Sequence, residues 1–245
     1  PIATRAIPTV ADVVQELPVA MEIMAAITTD AGKNISTKSA MVKLYCSDAL
    51  DEIVDSAVQI HGGMGYSQEL PIERIYRDSR INRIFEGTNE INRLLIPGTF
   101  LRKAMKGELP LLQKAKALQE ELLMMMPEEI EDAPLAQEKV LVQNAKKIGL
   151  LAAGLAAQRY GAKLESEQEV LANIADIVNN LFAMESAVLR TEKAIQRDGV
   201  EKANQKLLYT QIFCQEAFEC IEKDAKETLI AAVEGDNLRM MLSAL

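Results

Sequence analysis

Residues Gln59–Arg93 read QIHGGMGYSQELPIERIYRDSRINRIFEGTNEINR, a glycine-rich bend and an isolated carboxylate set between segments of helical spacing. Gly62, Gly63 and Gly65 end a helix, because glycine reaches the left-handed C-cap conformation without a Cβ penalty and lets a ligand or another backbone come close. A plain cap accounts for them unaided. They are no dinucleotide fingerprint, which has to follow a strand and open a helix. His61, the sole histidine, has no second ligand or nucleophile to work with and reads as structural. Arg74, Arg77, Arg80 and Arg83 recur every three residues with Glu73 and Asp78 among them, the pattern of a solvated, salt-bridged helix face. Glu86 is different, since Ile84 and Phe85 precede it and Gly87 follows, leaving the carboxylate in apolar company. Desolvation raises a carboxylate's pKa and makes it a competent base near neutral pH. Taken by itself, a surface-loop glutamate is the simpler reading. Thr88 is placed to N-cap the next helix, with Glu90 in its first turn where the helix dipole favours an anion.

Outward from this stretch the chain reads as helix. Pro8 to Thr29 has apolar residues at spacings of three and four, with a kink or break at Pro18. Asp30–Asn34 is a loop, and Ser36 or Thr37 caps a helix to about Ile60 whose stripe is Leu50, Ile53, Val54, Ala57 and Val58. After Thr88 a helix carries Ile91, Leu94, Leu95, Phe100 and Leu101 inward, kinked at Pro97-Gly98. Residues 106–137 hold Pro110, Pro127 and Pro134 and read as a linker with one helix, Leu111 to Met125. The apolar cluster Leu122–Met126 suits core packing or an acyl, membrane-surface or partner contact. Three long helices follow, Glu138–Tyr160, Ser166–Asp198 and Val200–Val233, with Gly161 and Gly199 stopping the first two. Their stripes are a small-residue run Leu151–Ala157, then Ile174, Ile177, Leu181, Met184 and Val188, then Leu208, Ile212, Phe218, Ile221 and Ala225.

Composition agrees with an all-α protein: 12 Gly and 8 Pro in 245 residues leave long stretches free of breakers, and Ala, Leu, Met, Glu and Lys dominate. The expected organisation is a helical-bundle domain over 1–105, the linker, and a second antiparallel bundle over 138–245. A net charge of −9 argues against a nucleic-acid partner, which needs basic patches to displace counterions. Cys46, Cys214 and Cys220 are odd in number and lack C-x-x-C spacing, so neither a disulfide framework nor a metal site is expected. A reducing compartment follows, the cytoplasm or alternatively a mitochondrial matrix. No apolar run reaches the roughly 20 residues of a membrane span, and the first residues lack a signal peptide's pattern.

Three pieces in order, Gln59–Tyr66, Ile75–Arg80 and Arg83–Thr88, resemble the C-terminal domain of the acyl-CoA dehydrogenases, flavoenzymes that desaturate acyl-CoA thioesters. The helical remainder resembles the C-terminal extension of the very-long-chain branch. The resemblance implies that Glu86 is the general base taking the proton alpha to the thioester, while the beta hydrogen leaves as hydride to FAD, in fatty-acid beta-oxidation. It implies that Gln59, Gly62 and Gly63 contact the adenosine-pyrophosphate end of an FAD held mainly by a neighbouring subunit, which requires a homodimer or higher homo-oligomer. It places Thr88, Asn89 and Glu90 beside the flavin, and Phe85 and Gly87 against the acyl-CoA substrate. Some relatives use an arginine for substrate near Gly98, where this chain offers none. Electron-transfer flavoprotein or a similar acceptor is the implied redox partner. The family's β-rich flavin cradle is not among these residues, so the chain by itself is not expected to retain FAD. A helical assembly module that keeps the ancestral motif is the alternative.

Overall fold

The computed structural model describes residues 36–122 and 130–243. The expected helix Pro8–Thr29, the loop after it and the cluster side chains Leu122–Met126 lie outside the residues described. Among the described residues the chain is all-α, with eight α-helices, two 3-10 turns and no strand. It divides into two compact units between Ile96 and Pro97, inside one helix.

The first unit is built on α1 (Ser36–His61), followed by a 3-10 turn (Gly62–Tyr66), α2 (Pro71–Ile81) and the first half of α3 (Asn89–Met105). Leu50, Val54 and Ala57 of α1 bury against Ile72 of α2, with Val58, Leu70, Ile75 and Tyr76 closing around them. Pro71 opens α2 because the first helical position needs no N–H and the proline ring presets φ. The buried stripe of α1 is narrower than its periodicity suggests, since Ile53 is exposed. On α3, Ile91 and Leu95 are exposed and Ile96 is fully buried, so the inward face is rotated from the one expected. Pro97 lacks the N–H that bonds the carbonyl four residues back, yet α3 runs unbroken from Asn89 to Met105.

The second unit contains α4 (Leu111–Leu122), α5 (Ala136–Tyr160), a 3-10 turn (Gly161–Ser166), α6 (Gln168–Asp198), α7 (Val200–Ala232) and α8 (Gly235–Ser243). Gly161 and Gly199, at φ 54° and 81°, end α5 and α6 as their sequence positions predict. Lys139–Glu192 and Lys146–Glu185 pairs set α6 antiparallel to α5, and a Thr191–Thr210 hydroxyl bond of 2.7 Å fixes α6 against α7. The core joins Val142, Ala145, Ile148 and Ala152 to Ile177, Met184 and Val188 and to Cys214, Ala217, Ile221 and Ala225. Small residues bring α4 and α5 together: a Cβ at Gly154 would lie 2.2 Å from the Ala115 Cβ. Leu118, Leu151, Leu229 and Met241 form a second cluster that seats α8, a helix absent from the sequence reading.

The stripe of α7 differs from the expected one. Leu208 and Ile212 are 50% and 58% exposed, because the face turned inward is Ala203, Thr210, Cys214, Ala217, Ile221, Ala225 and Leu229. All three cysteines are free, and burial pushes their thiols up, Cys214 to about 11, which makes them poor nucleophiles. Among the described residues no helix is long and apolar enough to cross a membrane. Ile221→Ala should therefore cost about 2–5 kcal/mol, and Ile212→Ala should stay within about 0.5 kcal/mol of the parent, by urea denaturation. Equal losses would contradict this assignment of the inward face.

Candidate active site

The loop joining α2 to α3 carries Glu86. Its backbone is closed by Phe85 N–H to Ile81 O at 3.1 Å and Asn89 N–H to Arg83 O at 3.1 Å. Glu86 and Gly87 are both left-handed, at φ 57° and 83°. Glycine adopts this freely, whereas a residue with a Cβ pays about 1–2 kcal/mol, so the surroundings must hold Glu86 there. Several donors do. Lys43 Nζ of α1 donates to Gly87 O at 2.8 Å, and Asn92 Nδ2 of α3 donates to the same oxygen at 2.9 Å. Thr88 acts as the N-cap read from the sequence, its Oγ1 accepting the Ile91 N–H at 3.2 Å.

Beneath the loop lies a polar network on α1. Asn89 is fully buried; its Nδ2 donates to Ser47 Oγ and Asp48 Oδ1, both at 2.8 Å, and its Oδ1 accepts from Lys43 Nζ at 2.6 Å. The resemblance places Asn89 beside the flavin, but its side chain is committed to α1 and anchors the start of α3. Asp48 also accepts from Arg83 Nε at 3.0 Å and Arg93 Nη2 at 2.9 Å, and Arg83 Nη1 donates to Asp51 at 2.8 Å. Arg83 thus leaves the solvated face expected of it, while Arg74–Asp78 and Arg77–Glu73 keep that pattern. Burial lowers the Lys43 pKa, opposed by the Asp48 and Glu90 carboxylates. Glu90 is held below the usual carboxylate range, first by a bond from its own backbone N–H and then by the Thr88 hydroxyl, Arg93 and Arg83.

Glu86 itself is exposed, and so are Ile84 and Phe85 before it in the loop and Ile91 and Leu95 on α3. Ile84 and Phe85, the apolar residues next to the carboxylate in sequence, therefore do not bury it among the described residues.

The glycine bend sits at the far end of α1, about 18 Å along the axis from Ser47 at 1.5 Å per residue to Gln59. His61 is structural, as read: its Nδ1 donates to Ala57 O at 2.7 Å. The three glycines answer to different constraints. Gly65 is buried, and a Cβ there would lie 2.7 Å from Val58 O. Gly62 needs its φ of 60°, and Gly63 has neither a positive φ nor any atom within 4 Å of a Cβ. Gln59 is exposed beside them. One helix thus carries both expected sites, at two separate places.

The sequence reading missed Lys43, Ser47, Asp48 and Asn92. The i, i+4 spacing of Lys43 and Ser47 with Asp48 and Asp51 was the available signal, a polar stripe beside the apolar one on α1.

Asn89→Ala would leave Lys43, Ser47 and Asp48 short of a partner, and should cost at least about 1–3 kcal/mol in a urea unfolding curve. An unchanged midpoint would contradict the anchoring role. Glu90 gives a pH test. Its folded pKa lies below the unfolded value of about 4.3, so its contribution is present above that value and is lost as pH falls through the folded pKa. Glu90→Gln should therefore lose less stability than the parent between about pH 5 and pH 3; parallel curves would count against the interaction.

Comparison with known proteins agrees with this geometry. Family models described as acyl-CoA dehydrogenase, C-terminal domain, match residues 12–99 and 144–245. A probable acyl-CoA dehydrogenase of Bacillus subtilis (strain 168) is 68% identical over 203 residues, covering 83% of this chain and 34% of that protein. The mitochondrial short-chain specific acyl-CoA dehydrogenase of Rattus norvegicus is 53% identical over 78 residues, 32% of this chain and 19% of that protein. The crystal structure of an acyl-CoA dehydrogenase complexed with FAD from Bacillus anthracis superposes with a TM-score of 0.83 at 70% identity, over 85% of this chain and 35% of that one. The chain spans about a third of the length of the two Bacillus proteins. With its all-helical fold, its glycine bend and its clamped Glu86 loop, the chain belongs to the acyl-CoA dehydrogenase family, through that family's C-terminal domain.

Proposed function

We propose that this chain is the C-terminal part of an FAD-dependent acyl-CoA dehydrogenase acting on long-chain acyl-CoA in beta-oxidation, with Glu86 as the base that removes the proton alpha to the thioester. The observation that carries the reading is the Glu86 loop: a left-handed non-glycine residue followed by a carbonyl that takes two side-chain donors, and preceded by exposed Ile84 and Phe85. A loop that served only to connect α2 and α3 would have no reason to keep a strained carboxylate on an apolar rim.

The residues fit the cofactor. Among the described residues nothing lies within 4 Å of a Cβ at Gly63 or at Gly62, so a pyrophosphate could approach the backbone closely there, with Gln59 as an adjoining donor. Thr88 and Glu90 lie at the start of α3, and in this reading they and Asn89 would lie beside the flavin. The flavin, when bound, accepts the beta hydrogen as hydride. Glu86 takes the alpha proton, and the product is a trans-2-enoyl-CoA. Substrate and cofactor, by covering the loop, would exclude water from the carboxylate. Phe85 and Gly87 line the acyl side.

In the same reading the bend at Gln59–Gly63 serves a neighbouring subunit's FAD, which makes the enzyme at least a dimer, and exposed Ile60 and Tyr66 beside it suit a buried position in that assembly. Electron-transfer flavoprotein is the proposed acceptor. The preference for long acyl chains rests on the helical extension and is tested with an acyl-CoA series from four carbons upward.

In the full-length enzyme, Glu86→Gln should keep its flavin and lose about 10²–10⁴-fold in turnover, because the amide preserves shape but accepts no proton. Near-normal turnover would reject the assignment. This chain expressed alone should be helical by circular dichroism and colourless, since most contacts to FAD lie outside it; flavin that survives gel filtration would show otherwise.

A further inference from the structure

We propose that Lys43 and Asn92 are positioning residues for Glu86, acting through the Gly87 carbonyl. The inference rests on the reading of Glu86 as the base. Among the described residues the Glu86 carboxylate makes no hydrogen bond or ion pair, so no side-chain tether fixes its place. Its position is therefore set through the backbone. The carbonyl one residue on, Gly87 O, receives Lys43 Nζ at 2.8 Å and Asn92 Nδ2 at 2.9 Å, which uses both of its lone pairs. On the other side, Phe85 N–H is bonded to Ile81 O at 3.1 Å. Phe85 N–H and Gly87 O thus anchor the short span containing Glu86 at both ends, which restricts its relaxation from φ 57° toward the ordinary β or α regions.

The clamp is itself held. Lys43 Nζ also donates to Asn89 Oδ1 at 2.6 Å, and Asn92 Nδ2 also donates to Thr88 O at 3.1 Å. Burial lowers the lysine's pKa, so an ammonium is maintained where a charge is costly, with Asp48 and Glu90 offsetting the loss. An uncharged side chain would fill this place on α1 at lower desolvation cost, and would not reach Gly87 O with a donor. Proton abstraction needs the carboxylate within hydrogen-bond reach of the carbon's proton, and a displacement of about 1 Å is enough to cost roughly 100-fold in rate. Gly87 is one of the residues on the acyl side, whereas proton abstraction depends on the exact place of the carboxylate, so releasing the clamp should act on the chemical step more than on binding.

The test uses the flavin-loaded, full-length enzyme and measures flavin reduction in a single turnover at saturating acyl-CoA, together with KM and flavin content. Lys43→Met and Asn92→Leu should each slow reduction by roughly tenfold or more, with KM within about threefold of the parent and flavin content unchanged. Lys43→Arg, which keeps a charged donor, should recover part of the rate. Added to Glu86→Gln, Lys43→Met should slow reduction no further, because the group it positions is already disabled. If Glu86→Gln is inactive and both clamp variants reduce flavin at the parental rate, the positioning role is wrong and the base stands. If Glu86→Gln itself keeps its rate, the base assignment fails instead. Should Lys43→Met not fold, Asn92→Leu decides, since it removes one donor and leaves the α1 network in place; a parental rate there overturns the proposal.

Discussion

The carboxylate of Asp48 is the point on which the first unit depends. It accepts from Arg83 just before the Glu86 loop, from Arg93 just after it, and from the Asn89 amide that starts α3. One residue on α1 therefore fixes where α2 ends and where α3 begins, and the loop between them is left no independent freedom. Such a network is favourable only when complete, because in a partly buried site each unpaired member costs the full price of its desolvation. Asn89 is fully buried and has both amide atoms bonded, so this one meets that condition. A set of apolar contacts of equal size would stabilise the junction as well, but would let the loop slide; directional bonds do not.

This rigidity is spent on a group that the chain leaves wet. Glu86 and the two apolar residues before it, Ile84 and Phe85, are exposed, so in the proposed role of Glu86 the environment that makes a carboxylate a useful base would arrive with whatever covers them. The division of labour is physically sensible. Position has to be set in advance, since ordering a loop at the moment of reaction would subtract from the rate. Dryness has to come last, since a permanently desolvated carboxylate would hold a proton before any substrate appeared.

How much of this was legible in the sequence depends on whether the cause was local. The caps at Thr88, Gly161 and Gly199 were readable, because a hydroxyl or a missing Cβ acts on the next few residues only. The all-α class and the helix extents followed from periodicity. Lys43 and Asn89 were not readable as partners: they lie 46 positions apart, and nothing in either segment announces the other. The inward face of α7 was misjudged for a different reason. Leu208 and Ile212 are the larger apolar residues, but the bundle's close approach admits Ala203, Cys214, Ala217 and Ala225, and bulk at those positions would push the helices apart. The rest of the expected stripe holds, since Ile221 and Ala225 are buried and Phe218 packs against the core.

The glycines of the bend show why a residue type alone does not carry its reason. All three were read as one cap or one ligand contact, and structure separates them. Gly65 is fixed by packing against Val58 O, and any side chain would force the turn away from α1. Gly62 is fixed by its dihedral. Gly63 meets neither condition, and a glycine without a local reason is entropically unfavourable, because it widens the unfolded ensemble while adding nothing to the folded one. Among the described residues nothing accounts for it, and the close approach of another molecule to the backbone, as proposed for the cofactor, would supply a cause. The same reasoning applies to Glu86, whose left-handed φ is an expense with no return inside the first unit. The two positions lie in different loops, Gly63 in the turn after α1 and Glu86 in the α2–α3 loop whose Gly87 carbonyl is bonded to Lys43 of that helix, so one local cause does not account for both.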